Sequence, residues 1–161
     1  MSPLRKLSCT FRFFVVALCL ATACMWQIPL AGPEVDARYK SLAPASGKAL
    51  LYLIRPPQPG EGDPIGTRIL LDGRGFGTVK GGAYLAAMLP PGQHTLSVSL
   101  HNRAEIVLQL VPGRTYYVAQ GLRWREGKFF VWLKRLKPAQ GRKMLEQCRY
   151  ALKNEFDASL R

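Results

Sequence analysis

A chain of 161 residues, 48% apolar and 20% charged, is too rich in core-forming side chains for wholesale disorder and too short for two domains of ordinary size. Lys and Arg number 23 against 10 acidic residues, and this formal +13 attracts nucleic acid, anionic lipid or acidic polymers without choosing among them. Location has to choose.

The first 23 residues read as an export signal. Arg5, Lys6 and Arg12 form a positive front, Phe13 to Ala23 an apolar run of 11, and Ala21-Thr22-Ala23 a small-residue cleavage site. The run is short for a bilayer span. Extended through "CMWQIPL" it reaches 18 residues but takes in Gln27 and Pro29, so an uncleaved anchor stays open as an alternative. Export argues against nucleic acid as the partner. It favours a bacterial cell-envelope setting, where a basic residue near an anionic surface contributes about 1 kcal/mol.

Cys24 follows the cleavage site, and "LATAC" is similar to a bacterial lipobox, which implies lipidation of Cys24 and attachment to a membrane. Ala21 stands where that motif usually has Leu, so ordinary cleavage after Ala23, releasing a soluble periplasmic protein, competes with it. Each methylene of such a lipid contributes about 0.8 kcal/mol of membrane affinity. Cys9 and Cys19 leave with the signal, and a lipidated Cys24 leaves Cys148 alone, which excludes a disulfide framework. An unlipidated Cys24 keeps a bridge to Cys148 open in an oxidising envelope.

Residues 24–48 carry Pro29, Pro33 and Pro44 and no sustained period, which predicts a tether. A flexible chain of that length reaches roughly 25 to 30 Å. From residue 49 to 136, short apolar runs alternate with turn signals, predicting an antiparallel β-sandwich of seven to eight strands. The candidates are "ALLYLIR", "TRILLD", "FGTVK", "YLAAML", "HTLSVSL", "EIVLQLV", "TYYVAQGL" and "KFFVWLKRL". Asp72-Gly73 fits a tight hairpin, and Pro91-Gly92 and Pro112-Gly113 fit type II turns, since Pro presets one dihedral and Gly tolerates the left-handed one. In "HTLSVSL", His94, Leu96, Val98 and Leu100 share an inward face, and Thr95, Ser97 and Ser99 face solvent.

Past Lys137 the period becomes helical. Pro138 suits a first turn, and Met144, Leu145, Cys148, Ala151 and Leu152 form one stripe, so residues 137–161 read as an amphipathic helix covering the sandwich. Arg142, Lys143, Arg149 and Lys153 then face outward as a candidate surface for an anionic lipid or cell-wall polymer. Residues 123 to 161 hold 11 basic and 4 acidic residues, so the charge gathers at this end.

Sharper chemistry finds little support. "GRGFG" precedes a strand rather than the helix a phosphate cradle requires. His94 and His101 lack a ligand cluster, and nothing pairs Asp72 with Glu105 for acid/base work, so no metal, cofactor or catalytic residue is expected. Trp124, Phe129, Phe130 and Trp132 place aromatics on both faces of the last strand, which predicts core rather than a carbohydrate platform.

The stretches "GKALLYLIRP", "ILLDGRGFGTVKGGAYLAAMLPPGQHTLSV", "LVPGRTYYV" and "GRKMLEQC" resemble the bacterial envelope family known as domain of unknown function 2846, and more distantly PEGA-type surface modules. The resemblance implies a small β-sandwich with a signal or lipobox, and it implies no catalytic residues. The segment from Gln58 to Gly66 departs from the family's shorter connection. The expectation is a non-enzymatic envelope lipoprotein serving as a binding or structural accessory to an unknown protein partner. The alternative is a soluble periplasmic module recognising an anionic or carbohydrate cell-wall component.

Overall fold

Every residue of β1 (Ala49–Arg55) is buried, and its alternate side chains serve two different cores. Ala49, Leu51 and Leu53 point into one cluster, Leu50, Tyr52 and Ile54 into the other. A strand covered on both faces reads as the unbroken apolar run "ALLYLI".

The computed structural model describes residues 28–58 and 65–152. It is mainly β. In chain order the elements are α1 (Pro33–Lys40), β1, β2 (Thr67–Leu71), β3 (Arg74–Val79), β4 (Ala83–Leu89), β5 (Gly92–Ser99), β6 (Arg103–Leu110), β7 (Thr115–Arg125), β8 (Lys128–Leu136), α2 (Pro138–Glu146) and β9 (Arg149–Tyr150). Five strands form one sheet in the order β8-β7-β1-β4-β9, and four form a second in the order β3-β2-β5-β6. The first core cluster draws on both sheets, with Leu51, Leu85 and Val118 from one and Ile69, Phe76, Leu96 and Leu108 from the other. The second cluster lies on the opposite face of the five-stranded sheet, where α1, α2 and β9 cover Tyr52, Tyr84 and Tyr117.

Five expectations need correction. The five-stranded sheet is mixed rather than antiparallel, because β7 runs parallel to β1 and β9 parallel to β4. Parallel neighbours need a long crossover, and here the connection from β1 to β7 includes the whole second sheet.

The C-terminal helix stops at Glu146 instead of continuing through the described end of the chain. Cys148 and Tyr150 turn inward with Arg149 outward between them, the alternation of a strand, and the edge of β4 offers partners. Ala151 bridges Leu30. Residues 153–161, Lys153 among them, lie outside the described residues.

The expected tether is folded from residue 28 onward. The Asp36 carboxylate accepts the Tyr150 N–H at 2.8 Å, and the Tyr39 carbonyl accepts the Tyr52 hydroxyl at 2.6 Å. Tyr39 stacks on Tyr150 with ring centres 3.7 Å apart. Residues 1–27, including the expected export signal, the lipobox-like stretch and Cys24, lie outside the described residues.

The fourth correction concerns turns and faces. Pro91-Gly92 is a crossing between sheets rather than the expected type II turn. Gly92, at φ 128°, already pairs with Leu110 as the first residue of β5. Ser97 is buried between Leu70 and Glu105 on its neighbouring strands, while Leu100, past the end of β5, is exposed. By contrast, Asp72 and Gly73 take φ 51° and 77° in the two-residue β2–β3 hairpin, a twist that matches the strands. At Pro112-Gly113 the turn closes with Arg114 N–H on the Val111 carbonyl at 3.4 Å, Gly113 taking φ 72°.

The aromatic group near the end of β7 is split. Phe129, Phe130 and Trp132 are half-buried, but Trp124 is 60% exposed rather than part of the core, because β7 pairs with β1 only as far as Ala119 and runs on from there with β8.

Candidate functional site: a basic cleft beside the second helix

The segment "LKPAQGRK" turns the chain from β8 back across the five-stranded sheet. Pro138 enters at the first helical turn, where its missing N–H costs nothing. Gly141 then permits the close approach that fixes α2. A Cβ built there would stand 2.2 Å from Cγ of Tyr117 on β7, so only glycine lets the helix lie on that ring. Pro138, Arg142 and Glu146 follow at helical spacing on one face.

Beside that face lies a cleft of about 610 Å³. Its walls are α2, the start of β7 with Arg114 and Thr115 before Tyr117, and the segment after α1 with Leu42 and Pro44. Lys40 reaches its rim. A second hollow of about 660 Å³ flanks the same row and adds Lys137 and Lys143. Five cations therefore surround one helix face that carries a single carboxylate, Glu146. Lys40 is held by Asp36 at 2.8 Å. Among the described residues no carboxylate pairs with Arg114, Lys137, Arg142 or Lys143.

The floor is set by tyrosines. Tyr117 stacks on Tyr52 with centres 5.5 Å apart, and the Arg142 guanidinium lies near its hydroxyl. Burial pushes the Tyr117 phenol above its usual range, while the neighbouring guanidinium pulls the other way. The phenol stays a neutral donor and acceptor at neutral pH. At Asp36 burial works toward a higher pKa, but the Lys40 ammonium, the Tyr150 N–H and the Tyr84 hydroxyl together hold it below the ordinary carboxylate value. The cleft thus offers cationic forks, hydroxyls and an apolar wall. Guanidinium groups match phosphate and carboxylate oxygens in a bidentate manner, and the volume suits a ligand of moderate size.

Of the basic residues expected to form one outward surface, the structure brings Arg142 and Lys143 to this face and takes Arg149 elsewhere, where its guanidinium donates to the Ala31 carbonyl. Lys40, Arg114 and Lys137 are members that sequence reasoning missed. Arg114 had a signal, since it follows a Pro-Gly turn that leads into β7; Lys40 had none, because its segment reads as linker.

Asp72 and His94 meet, a pairing that the sequence reading did not foresee. His94 Nδ1 lies 2.6 Å from Asp72 Oδ2, and its Nε2 lies 3.0 Å from the Pro90 carbonyl. Asp72 Oδ1 also accepts the Thr95 N–H at 2.8 Å. Both ring nitrogens are occupied by groups that tie a hairpin to the sheet crossing. Glu105 is apart from them, paired with Arg103 at 2.8 Å. Cys148 is buried, and burial pushes its thiol up to about 12. At the opposite end of β1, Arg55 is buried and donates to the Ile65 carbonyl and to Thr67 Oγ1.

Among the described residues no three His, Cys, Asp or Glu side chains converge in a metal-like group, and no helix is long and apolar enough to cross a membrane. Comparison with family models, with curated proteins and with solved structures finds no match for this chain.

Proposed function

We propose that this chain is an exported bacterial envelope protein whose two sheets pack as a β-sandwich, held at a membrane by its N-terminal segment through a lipid on Cys24. It works by binding rather than by catalysis. The resemblance to domain of unknown function 2846 belongs to the same reading. The ligand is an anionic envelope component, a lipid headgroup or cell-wall polymer, taken up in the cleft beside α2.

One observation carries the binding assignment. Arg114 and Arg142 share a cleft of about 610 Å³ with no carboxylate paired to either among the described residues. Unpaired guanidinium groups gathered around a hollow raise the local concentration of anions. The groups that resemble a nucleophile and a base are otherwise engaged, since Cys148 is a buried, protonated thiol and both nitrogens of His94 face structural partners.

Calorimetric titration with phosphatidylglycerol headgroup, inorganic phosphate and short anionic wall fragments tests the cleft. Binding that weakens at least about tenfold in an Arg114→Gln, Arg142→Gln double variant is expected, given about 1.5 to 3 kcal/mol for a charged hydrogen bond. Flat titrations of the parent would sink the assignment. Metabolic palmitate labelling that persists in Cys24→Ala would refute the lipid, leaving the soluble form.

A further inference from the structure

β1 and β7 run side by side in one direction, with Leu50 opposite Thr115 and Ile54 opposite Ala119. The domain therefore has two ends. The basic cleft lies where these strands begin. At the other end β7 outruns its neighbour. Pairing with β1 stops at Ala119, but pairing with β8 continues to Arg125 opposite Lys128. Gln120 and Leu122 are still buried, and Gln58 Nε2 donates to the Leu122 carbonyl at 3.2 Å. Beyond them all six residues from 123 to 128 are exposed. Glu126 and Gly127, at φ 50° and 76°, close this two-stranded ribbon.

The tip combines two chemistries. Trp124 is 60% exposed and meets Phe129 edge-on with centres 4.5 Å apart. Arg123, Arg125 and Lys128 neighbour them along the same two strands, on the other face of the ribbon, and the one acid, Glu126, is bound by Arg125 at 3.0 Å. A large aromatic side chain left out of every core calls for an explanation that a scattered surface leucine does not. Tryptophan has an apolar body and one polar N–H, which suits the boundary between water and lipid. All six residues of the tip face solvent, and its cations select an anionic surface.

A second observation concerns where the chain enters the body. A Cβ built on Gly66 would lie 3.3 Å from Ile28 Cδ1, so the first described residue sits beside the start of β2. The next residue, Thr67, places its hydroxyl 3.4 Å from Gln120 Oε1 and accepts from Arg55 at 3.0 Å. Ile28, Arg55 and Gln120 thus occupy one end of the domain, the end from which the ribbon projects. The preceding residues, with their apolar run, join the body there.

We infer that the β7–β8 tip, Trp124 and Phe129 with Arg123, Arg125 and Lys128, seats in the headgroup region of an anionic bilayer and turns the cleft beside α2 away from it, which selects the cell-wall polymer over the lipid headgroup as the ligand of that cleft. This rests on the N-terminal membrane attachment proposed above. Anchor and tip then make two contacts with one surface, and the second fixes the orientation that the first leaves free.

The test reconstitutes the full chain into vesicles of phosphatidylcholine alone and of phosphatidylcholine mixed with phosphatidylglycerol, both carrying acyl chains brominated near the headgroup. Tryptophan emission is expected to be quenched in the anionic vesicles, with a component that disappears in Trp124→Phe. Arg123→Gln and Lys128→Gln should each shift the ratio of seated to free tip about fivefold, the weight of one basic residue near an anionic surface. Quenching that is unchanged in Trp124→Phe, or equal in the two vesicle types, overturns the inference. Flotation of the chain with the vesicles is scored separately. A chain that floats with Trp124 unquenched refutes the tip and leaves attachment standing; a chain that does not float refutes attachment and the tip with it.

Discussion

Gly141 and Tyr117 are in contact so close that a single added carbon at 141 would fall 2.2 Å from the ring, well inside van der Waals separation. Intrinsic preference points the other way, since alanine is favoured over glycine within a helix by about 1 kcal/mol. The two effects predict opposite signs for one substitution. Gly141→Ala is expected to destabilise the domain by roughly 1 to 3 kcal/mol through overpacking, and, on the binding role proposed for the cleft, to weaken its hold on anions by displacing Arg142. Urea denaturation of the variant checks it, and a raised midpoint would show that the helix does not rest on Tyr117.

Asn102 acts as a one-residue strand. Its side-chain amide donates to the Val131 carbonyl at 2.9 Å, and its carbonyl accepts the Val131 N–H at 2.7 Å, covering the outer edge of β8. His101 Nδ1 lies 3.0 Å from the next outward carbonyl, Phe129. Exposed edges invite pairing with other chains. Asn102→Ala should cost roughly 1 to 3 kcal/mol for the two lost bonds and should increase aggregation on mild heating, followed by light scattering.

Asp36 links the N-terminal segment to β9, and its carboxyl is held below the ordinary value. A depressed pKa means the folded state binds the proton less readily than the unfolded chain does. The stabilisation is therefore complete above the unfolded value and is lost as pH falls through the folded one. Asp36→Asn should be less stable than the parent at neutral pH, with the gap narrowing through the acid range below about pH 4. Parallel stability curves from pH 7 downward would show that the carboxylate is not the source.

Cys148 is expected to resist thiol reagents while the domain is folded. With its pKa pushed from 9.0 up to about 12, the thiolate fraction at neutral pH falls about a thousandfold, and the thiolate is the nucleophile. Disulfide-exchange reagent should consume one more equivalent in the parent than in Cys148→Ala only after denaturant is added. Rapid modification under native conditions would place the thiol at the surface.

The β1 run "ALLYLI" and the pairs at Asp72-Gly73 and Pro112-Gly113 were legible because burial and turn chemistry are local. The course of the C-terminal segment was not. Met144, Leu145 and Cys148 fit a helical stripe, yet Cys148, Arg149 and Tyr150 also fit a strand, and only the vacant edge of β4 decides between them. The helix α1 was hidden for a related reason. It is anchored less by an apolar stripe than by hydrogen bonds and stacking with Tyr52, Tyr84 and Tyr150, partners far away in sequence. The cleft was half legible. Arg142 and Lys143 lie together in the chain, whereas Lys40 and Arg114 join them only through the fold.

The docking of residues 28–48 changes the length of any leash. A free stretch from 24 to 48 would let the body roam roughly 25 to 30 Å, but four residues from Cys24 to Ile28 span at most about 14 Å. A lipidated chain of this kind could not fish across the envelope; its body would skim the bilayer, and whatever it captures would have to arrive there.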